Sequence, residues 1–278
     1  SRHHIRPGKI RSREMSYRDK TYSTMKLTFE DQIAIVKFNR PEAMNAANVE
    51  MSYERVEIYR HLSEDDTVKV IIITGGDKVY CAGGDLAAFS KFDRSEAQKF
   101  INRGVEYQKL LMDMPKPTIA AIAGYAYGGG MENVLLCDLR IAADNAKFAL
   151  PEIGVGIFPG GGATQRLVQN IPIAKAKEMI FFGKPIEAKE ACRLGIVNKV
   201  VEPELLMEEA KAWAKRLLRL SPLSLRAAKK AINNAWNQDI YGGMQQEADL
   251  WAELFDSHDQ KEGMNAFLEK RYPEFRGD

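Results

Sequence analysis

The run VKVIIIT at 68–74, closed by Gly75-Gly76, constrains this chain more than any other feature. Seven mostly β-branched residues with almost no polar alternation fit a strand covered on both faces, as in parallel sheets flanked by helices. The pattern then recurs. Residues 118–123 read as a second apolar strand, closed by Gly124 and followed by Gly128-Gly129-Gly130 and a helix. Short strands at 139–143 and 147–150 precede three glycines at 160–162 that open another helix. Strand, turn, strand, helix recurring every few tens of residues predicts an α/β fold, a stacked spiral of β-β-α units.

Around this spiral the ends differ. Residues 26–29 and 33–38 alternate and predict a hairpin around Glu30-Asp31; Asn39-Arg40-Pro41 breaks the second strand. A helix over 48–63 follows, with Val49, Tyr53 and Val56 on one stripe and Ile58 and Leu62 off it. From about residue 196 strand signals vanish. Runs at 204–220, 223–236, 245–255 and 263–271 predict amphipathic helices, and Ser221-Pro222 is a start signal for the second. This divides the chain into a leader at 1–14, an α/β core at 15–200 and a helical region at 201–278. The last carries Trp236, Trp251, Leu254 and Phe255, apolar surface for its own core or for another subunit.

Charge and residue usage exclude several classes of function. The formal charge is +2, but Arg2, Arg6, Lys9, Arg11 and Arg13 against Glu14 give residues 1–14 a local +4, leaving −2 for the rest. That segment reads as an expression leader with Met15 as a native start. Without it there is no clustered basic face, so nucleic acid is not an expected partner. No apolar run reaches the roughly 18 residues that span a bilayer, and a cytoplasmic or mitochondrial-matrix location is expected. Cys81, Cys137 and Cys192 are three in number without C-x-x-C spacing, which points to buried free thiols in a reducing compartment. His61 and His258 lie near no nucleophile motif, and His3 and His4 belong to the leader. A histidine triad or metal site is therefore not expected, and acid–base work falls to carboxylates.

Two turns share a design that suits such work. In Tyr80-Cys81-Ala82-Gly83-Gly84-Asp85-Leu86 and in Tyr127-Gly128-Gly129-Gly130-Met131-Glu132, a strand ends, glycines intervene and a helix begins. Glycine lets backbone approach a ligand, and a helix start presents unpaired N–H groups. Two such amides aimed at one oxygen make an oxyanion hole. Neither turn has the G-K-[ST] of a phosphate loop or the G-x-G-x-x-G of a dinucleotide site. Glu132 begins an otherwise apolar helix, where a carboxylate also complements the helix dipole. Glu152 stands alone in an apolar stretch, either as a surface turn residue or as an acid with a raised pKa.

The segments FNRPEAMNAAN (38–48), VIIITGGDKVYCAGGDL (70–86), PTIAAIAGYAYGGGMENVLLCDLRIAADNAKFALPEIGVGIFPGGGATQRL (117–167) and GKPIEAKEACRLGIVNKVV (183–201) together resemble the crotonase superfamily of enoyl-CoA hydratases and isomerases. The tail EGMNAFLEKRYPEF (262–275) is similar too. The resemblance implies that Gly84 and Gly129 donate the oxyanion-hole amides and that Glu132 and Glu152 are the two acids. It implies that Ala43, Met44, Ala82, Gly84, Asp85, Leu86 and Ala87 line the coenzyme A moiety. Phe267 and Lys270 match a pair that helps cover coenzyme A, often from a neighbouring subunit of a trimer or dimer of trimers. Three positions depart from the pattern: Glu42 where many relatives carry Lys, Tyr127 beside the oxyanion turn, and Asn133 after Glu132. The last two are expected to reshape the acyl pocket.

The resemblance implies reversible hydration of a 2-enoyl-CoA to a 3-hydroxyacyl-CoA, with coenzyme A as part of the substrate and no metal or redox cofactor. Glu152 is the expected donor of a proton to C2. A double-bond isomerase, a ring-diene hydratase or a decarboxylase on the same fold are the alternatives. A non-catalytic coenzyme A- or RNA-binding scaffold needs neither acid.

Overall fold

The computed structural model describes residues 16–278, so the leader and Met15 lie outside the described residues. The chain opens with an antiparallel hairpin, β1 (Met25–Glu30) and β2 (Ile33–Phe38), turning at Asp31 with φ 51°. Helix α1 (Val49–Glu64) follows, its start capped by the Asn48 side chain accepting from the Met51 N–H. Its buried residues are Met51, Ser52, Arg55, Val56, Ile58, Tyr59 and Leu62; of the expected stripe Val56 is buried, but Val49 and Tyr53 are exposed. The true stripe steps by three or four residues through an arginine, and counting apolar residues alone hides it.

Three β-β-α passages come next. The first is β3 (Val70–Thr74), β4 (Val79–Cys81), the short α2 (Leu86–Phe89) and α3 (Arg94–Met112). The long α3 was not anticipated; Asp93 and Glu96 close a reciprocal capping box at its start. The second is β5 (Thr118–Ile122), β6 (Tyr125–Tyr127) and α4 (Gly129–Leu136). The third is β7 (Leu139–Ala143), β8 (Lys147–Ala149) and α5 (Ala163–Arg166), extended by α6 (Ile173–Phe182). A last pass adds β9 (Ile186–Glu187), α7 (Ala188–Leu194) and β10 (Lys199–Val201). First strands build one sheet in the order β1-β2-β3-β5-β7-β10, and second strands build another, β4-β6-β8-β9. The pairs β3–β5, β5–β7, β4–β6 and β6–β8 are parallel. This is the expected spiral.

The β3 residues divide between two cores. Ile71 and Ile73 face the interior shared with α1 and α4, while Val70 and Ile72 meet Leu206, Ala210 and Ala214. Those three lie on α8 (Leu206–Leu218), so the first helix beyond residue 200 lies on the sheet. Helices α9 (Pro222–Asn234), α10 (Ile240–Glu253) and α11 (His258–Leu268) complete the chain. Ser221 caps α9, as its position before Pro222 predicts. The last two begin about five residues earlier than their apolar pattern suggests, because Asp239 and Ser257 cap them. Among the described residues no helix is long and apolar enough to cross a membrane.

Candidate active site

Loop 40–47 is laced to the turn after β4. The Ala82 N–H donates to Met44 O (3.0 Å), Ala47 N–H to Gly83 O (2.7 Å) and Asp85 N–H to Ala47 O (3.0 Å). Asn45 Nδ2 donates to Tyr80 O at 3.1 Å. This lacing sets Met44 against Ala82 and Ala47 against Gly83 and Asp85. Asp85 has a second task here. It pairs with Arg40 at 2.7 Å and caps α2 by accepting from the Ala88 N–H at 3.2 Å. The Arg40 hydrogen bond holds its carboxyl below the usual range. Glu42 is largely exposed, 3.9 Å from Arg40.

The second turn meets the first. Gly128, at φ 52°, donates to Ala149 O at 2.8 Å and releases the chain into α4. A Cβ added at Gly130 would stand 2.1 Å from Cys81 O, so α4 can rest on the end of β4 only because that residue is glycine. Gly83, at φ 108°, has no room either: its Cβ would lie 3.3 Å from the Gly129 nitrogen. A Cβ on Gly129 would be 4.0 Å from the Gly84 nitrogen. The Gly84 and Gly129 amides thus sit side by side, and among the described residues neither has a backbone acceptor.

Both acids lie at the second turn, Glu132 in the first turn of α4 and Glu152 against Gly128. Glu132 is not a surface charge at its own helix start: it is 5% exposed, and Oε1 accepts the Gly161 N–H (2.9 Å) and the Ala163 N–H (3.1 Å). Burial raises its pKa, while the two amides and the Arg55 charge pull it down; burial wins. Glu152 lies in the turn Glu152–Val155, with Oε1 so near Gly128 that a Cβ there would be 2.9 Å away. Its Oε2 is buried without a hydrogen-bond partner. Burial pushes this carboxyl up to about 7, and the charge of Glu132 adds to the effect. Its apolar neighbours are not the cause, since Ile153 and Val155 are exposed. One acid is held by amides; the other is poised between protonation states near neutral pH.

Two of the departures have defined surroundings. Asn133 is 1% exposed and faces the core: Tyr80 donates its hydroxyl to Oδ1, and Nδ2 donates to the Tyr107 hydroxyl. It therefore sets packing behind α4. Tyr127 is half-buried and stacks edge-on with Tyr125, centroids 5.2 Å apart. Phe267 is 83% exposed on α11, and Lys270 follows in a left-handed conformation (φ 55°) that ends this helix. No hydrogen bond or ion pair among the described residues links either to the glycine turns. Sequence reasoning missed Gly161 and Ala163 as partners of Glu132, and Arg40 as the partner of Asp85; no local signal marks such distant pairings.

Residues 28–278 match the enoyl-CoA hydratase/isomerase family. The chain belongs to that family. A crotonyl-CoA hydratase from Syntrophomonas wolfei is 44% identical over 91% of this chain and 98% of its own length. A short-chain-enoyl-CoA hydratase from Clostridium acetobutylicum is 40% identical over 87% of this chain and 93% of its own. Among solved structures, the enoyl-CoA hydratase of Bacillus anthracis superposes with a TM-score of 0.88 at 34% identity, covering 92% of this chain and 100% of that one. The spiral of β-β-α units is thus the enoyl-CoA hydratase/isomerase fold.

Proposed function

We propose that this family member is an enoyl-CoA hydratase, adding water reversibly across the double bond of a 2-enoyl-CoA to give a 3-hydroxyacyl-CoA. One arrangement supports the reading: the Gly84 and Gly129 amides lack backbone acceptors among the described residues, Glu132 lies in the same first turn of α4 as Gly129, and Glu152 lies against Gly128. The hydratases named among its relatives support the same chemistry.

In this reading the thioester oxygen accepts from Gly84 and Gly129, so charge developing on it meets fixed dipoles; each such donor is worth about 10²–10³ in rate. Water adds its oxygen to C3. Glu132, the acid more strongly held as a carboxylate, takes the water's proton. Glu152, able to carry a proton near neutral pH, gives one to C2, and the reverse reaction returns both. Positioned acid–base groups contribute about 10²–10⁴. Ala43, Met44, Ala82, Asp85, Leu86 and Ala87 form the wall against which coenzyme A lies, Asp85 chiefly by fixing the wall through Arg40. The chemistry calls on no metal or redox group.

Assembly is part of the proposal. In this reading Phe267 and Lys270 cover coenzyme A from a neighbouring subunit, so a homotrimer or dimer of trimers is expected, with 201–278 supplying the contact. Exposed Trp236, Tyr241, Trp251 and Tyr272 give that region apolar surface to cover. A cytoplasmic or matrix location, without membrane or nucleic-acid partners, fits the same reading.

The test is a panel of 2-enoyl-CoA thioesters followed by loss of conjugated absorbance, with product identification. A 3-hydroxyacyl-CoA supports the proposal; a shifted double bond without added water replaces hydratase by isomerase. Sedimentation of the native chain checks assembly, and a monomer removes the role given to Phe267 and Lys270.

A further inference from the structure

Gly84 and Gly160 are glycines for want of space, not of conformation. Neither backbone lies in the left-handed region that favours glycine. A Cβ on Gly84 would stand 2.3 Å from Phe89 Cε2 and 2.5 Å from Cζ, so the edge of that ring lies over the Gly84 Cα. A Cβ on Gly160 would stand 3.1 Å from Ile101 Cδ1. Gly84 carries one of the two amides given to the thioester oxygen above. Gly160 precedes Gly161, whose N–H holds Glu132. Two apolar side chains thus press on the two halves of the site.

Both press from one body. Phe89 ends α2, a helix of four residues, far below the length that holds itself in water. Its ring is kept in place from outside. Phe100 meets it edge-on with centroids 5.0 Å apart, and Phe92 completes the cluster at 5.4 Å from Phe89 and 5.8 Å from Phe100. All three residues are half-buried. Phe100 and Ile101 are neighbours in α3, and a helix turns about 100° per residue, so α3 shows one flank to α2 and the next to the 160–162 loop. Gln108, two turns after Ile101 on the same face, meets that loop again: a Cβ on Gly162 would lie 3.0 Å from its Oε1. The helix itself is fixed elsewhere. The Asp93–Glu96 capping box holds its start, and Arg103 donates to Ser52 Oγ at 2.8 Å and stacks on Tyr53 of α1 at 4.3 Å.

The geometry points to Phe89 and Ile101 as positioning residues on a strut: α3 sets the Gly84 amide through the Phe89 ring and the Glu132 loop through Ile101, and so fixes where amide and acid stand relative to each other. Close-packed rings can do this because they transmit a displacement and do not absorb it. The inference rests on the roles given above to the Gly84 amide and Glu132, and holds for double-bond isomerisation as well as for hydration.

The experiment uses butyryl-CoA labelled with ¹³C at the thioester carbonyl, which has no double bond to hydrate. Its carbonyl band in infrared difference spectra measures hydrogen bonding to that oxygen without turnover. In the wild type the band should fall below its position in solution. Phe89→Ala and Phe100→Ala should return it by up to about half, one donor of two being displaced, and lower kcat about tenfold or more, with KM changed less. Phe89→Leu, which keeps bulk over Gly84, should fall between. Ile101→Ala should lower kcat to a similar degree with the band unmoved, because it touches only the loop that holds the acid. Circular dichroism and melting identify a variant that fails to fold, and Phe89, Phe100 and the Leu variant give three routes to one contact. A folded Phe89→Ala or Phe100→Ala with wild-type band and kcat overturns the assignment. So does an Ile101→Ala band displaced as far as that of Phe89→Ala, since general loosening would then be acting. A wild type whose band is not displaced removes the oxyanion site and this inference with it. A displaced band without hydration of any enoyl-CoA fails the hydratase reading alone.

Discussion

Gly161 lies against the carboxylate of Glu132: its N–H donates to Oε1 at 2.9 Å, and a Cβ on it would stand 2.2 Å from Oε2. The same residue thus holds the acid and leaves room for it. Gly161→Ala should displace the carboxylate and lower kcat by about 10² or more while the protein still folds, since misplacements near 1 Å have that effect. Steady-state kinetics beside a melting curve checks it. Gly104→Ala in α3 is the control, where a Cβ would meet only ordinary contacts. It should leave the rate alone and stabilise the helix by about 0.5–1 kcal/mol.

Removing either acid separates chemistry from binding. Glu132→Gln and Glu152→Gln should each cut kcat by about 10²–10⁴ while 3-hydroxyacyl-CoA binds nearly as before. Calorimetric titration with the product measures the second half of that statement. Wild-type turnover in both variants refutes the roles assigned here.

Glu152 also links pH to stability, with a definite sign. Its carboxyl is raised from 4.5 to about 7 in the fold, so the native state holds a proton that the unfolded chain releases. Below pH 4.5 the group costs nothing; as pH rises from 4.5 to 7 the native state loses stability, by up to about 3 kcal/mol. Glu152→Gln should therefore melt higher than wild type at pH 8 and alike at pH 4. For the reaction, loss of the Glu152 proton above about pH 7 should bring down the hydration rate. That limb should be absent in Glu152→Gln.

Asn133 offers a test of the core behind the site. Asn133→Leu strands the Tyr80 and Tyr107 hydroxyls among apolar neighbours and should cost about 2–4 kcal/mol, at roughly 1–2 per orphaned group. Adding Tyr80→Phe and Tyr107→Phe should recover most of the loss in urea unfolding. Preference among acyl chain lengths should not change.

What could be read from the chain alone is what local rules govern. The run through Ile71–Ile73 had to be a strand covered twice, because nothing polar alternates in it, and α8 with the inner core does cover it. The glycine turns announced places without room for a Cβ: Gly83 and Gly130 lie close to backbone, and Gly128 lies close to the Glu152 carboxyl. The buried face of α1 was illegible because an arginine sits in it, and hydrophobic counting assigns arginine to water.

The sequence by itself determined the strand–turn–helix cycle, the two glycine turns and the presence of two acids near them. Those depend on side-chain period, on the absence of Cβ and on residue type, all properties of a few neighbouring positions. Only the tertiary structure decided that Glu132 turns to Gly161 and Ala163, and that Asn133 faces Tyr80 and Tyr107. Each of these joins elements 26 or more positions apart, and which partner a buried polar group finds is settled by how whole helices and sheets pack.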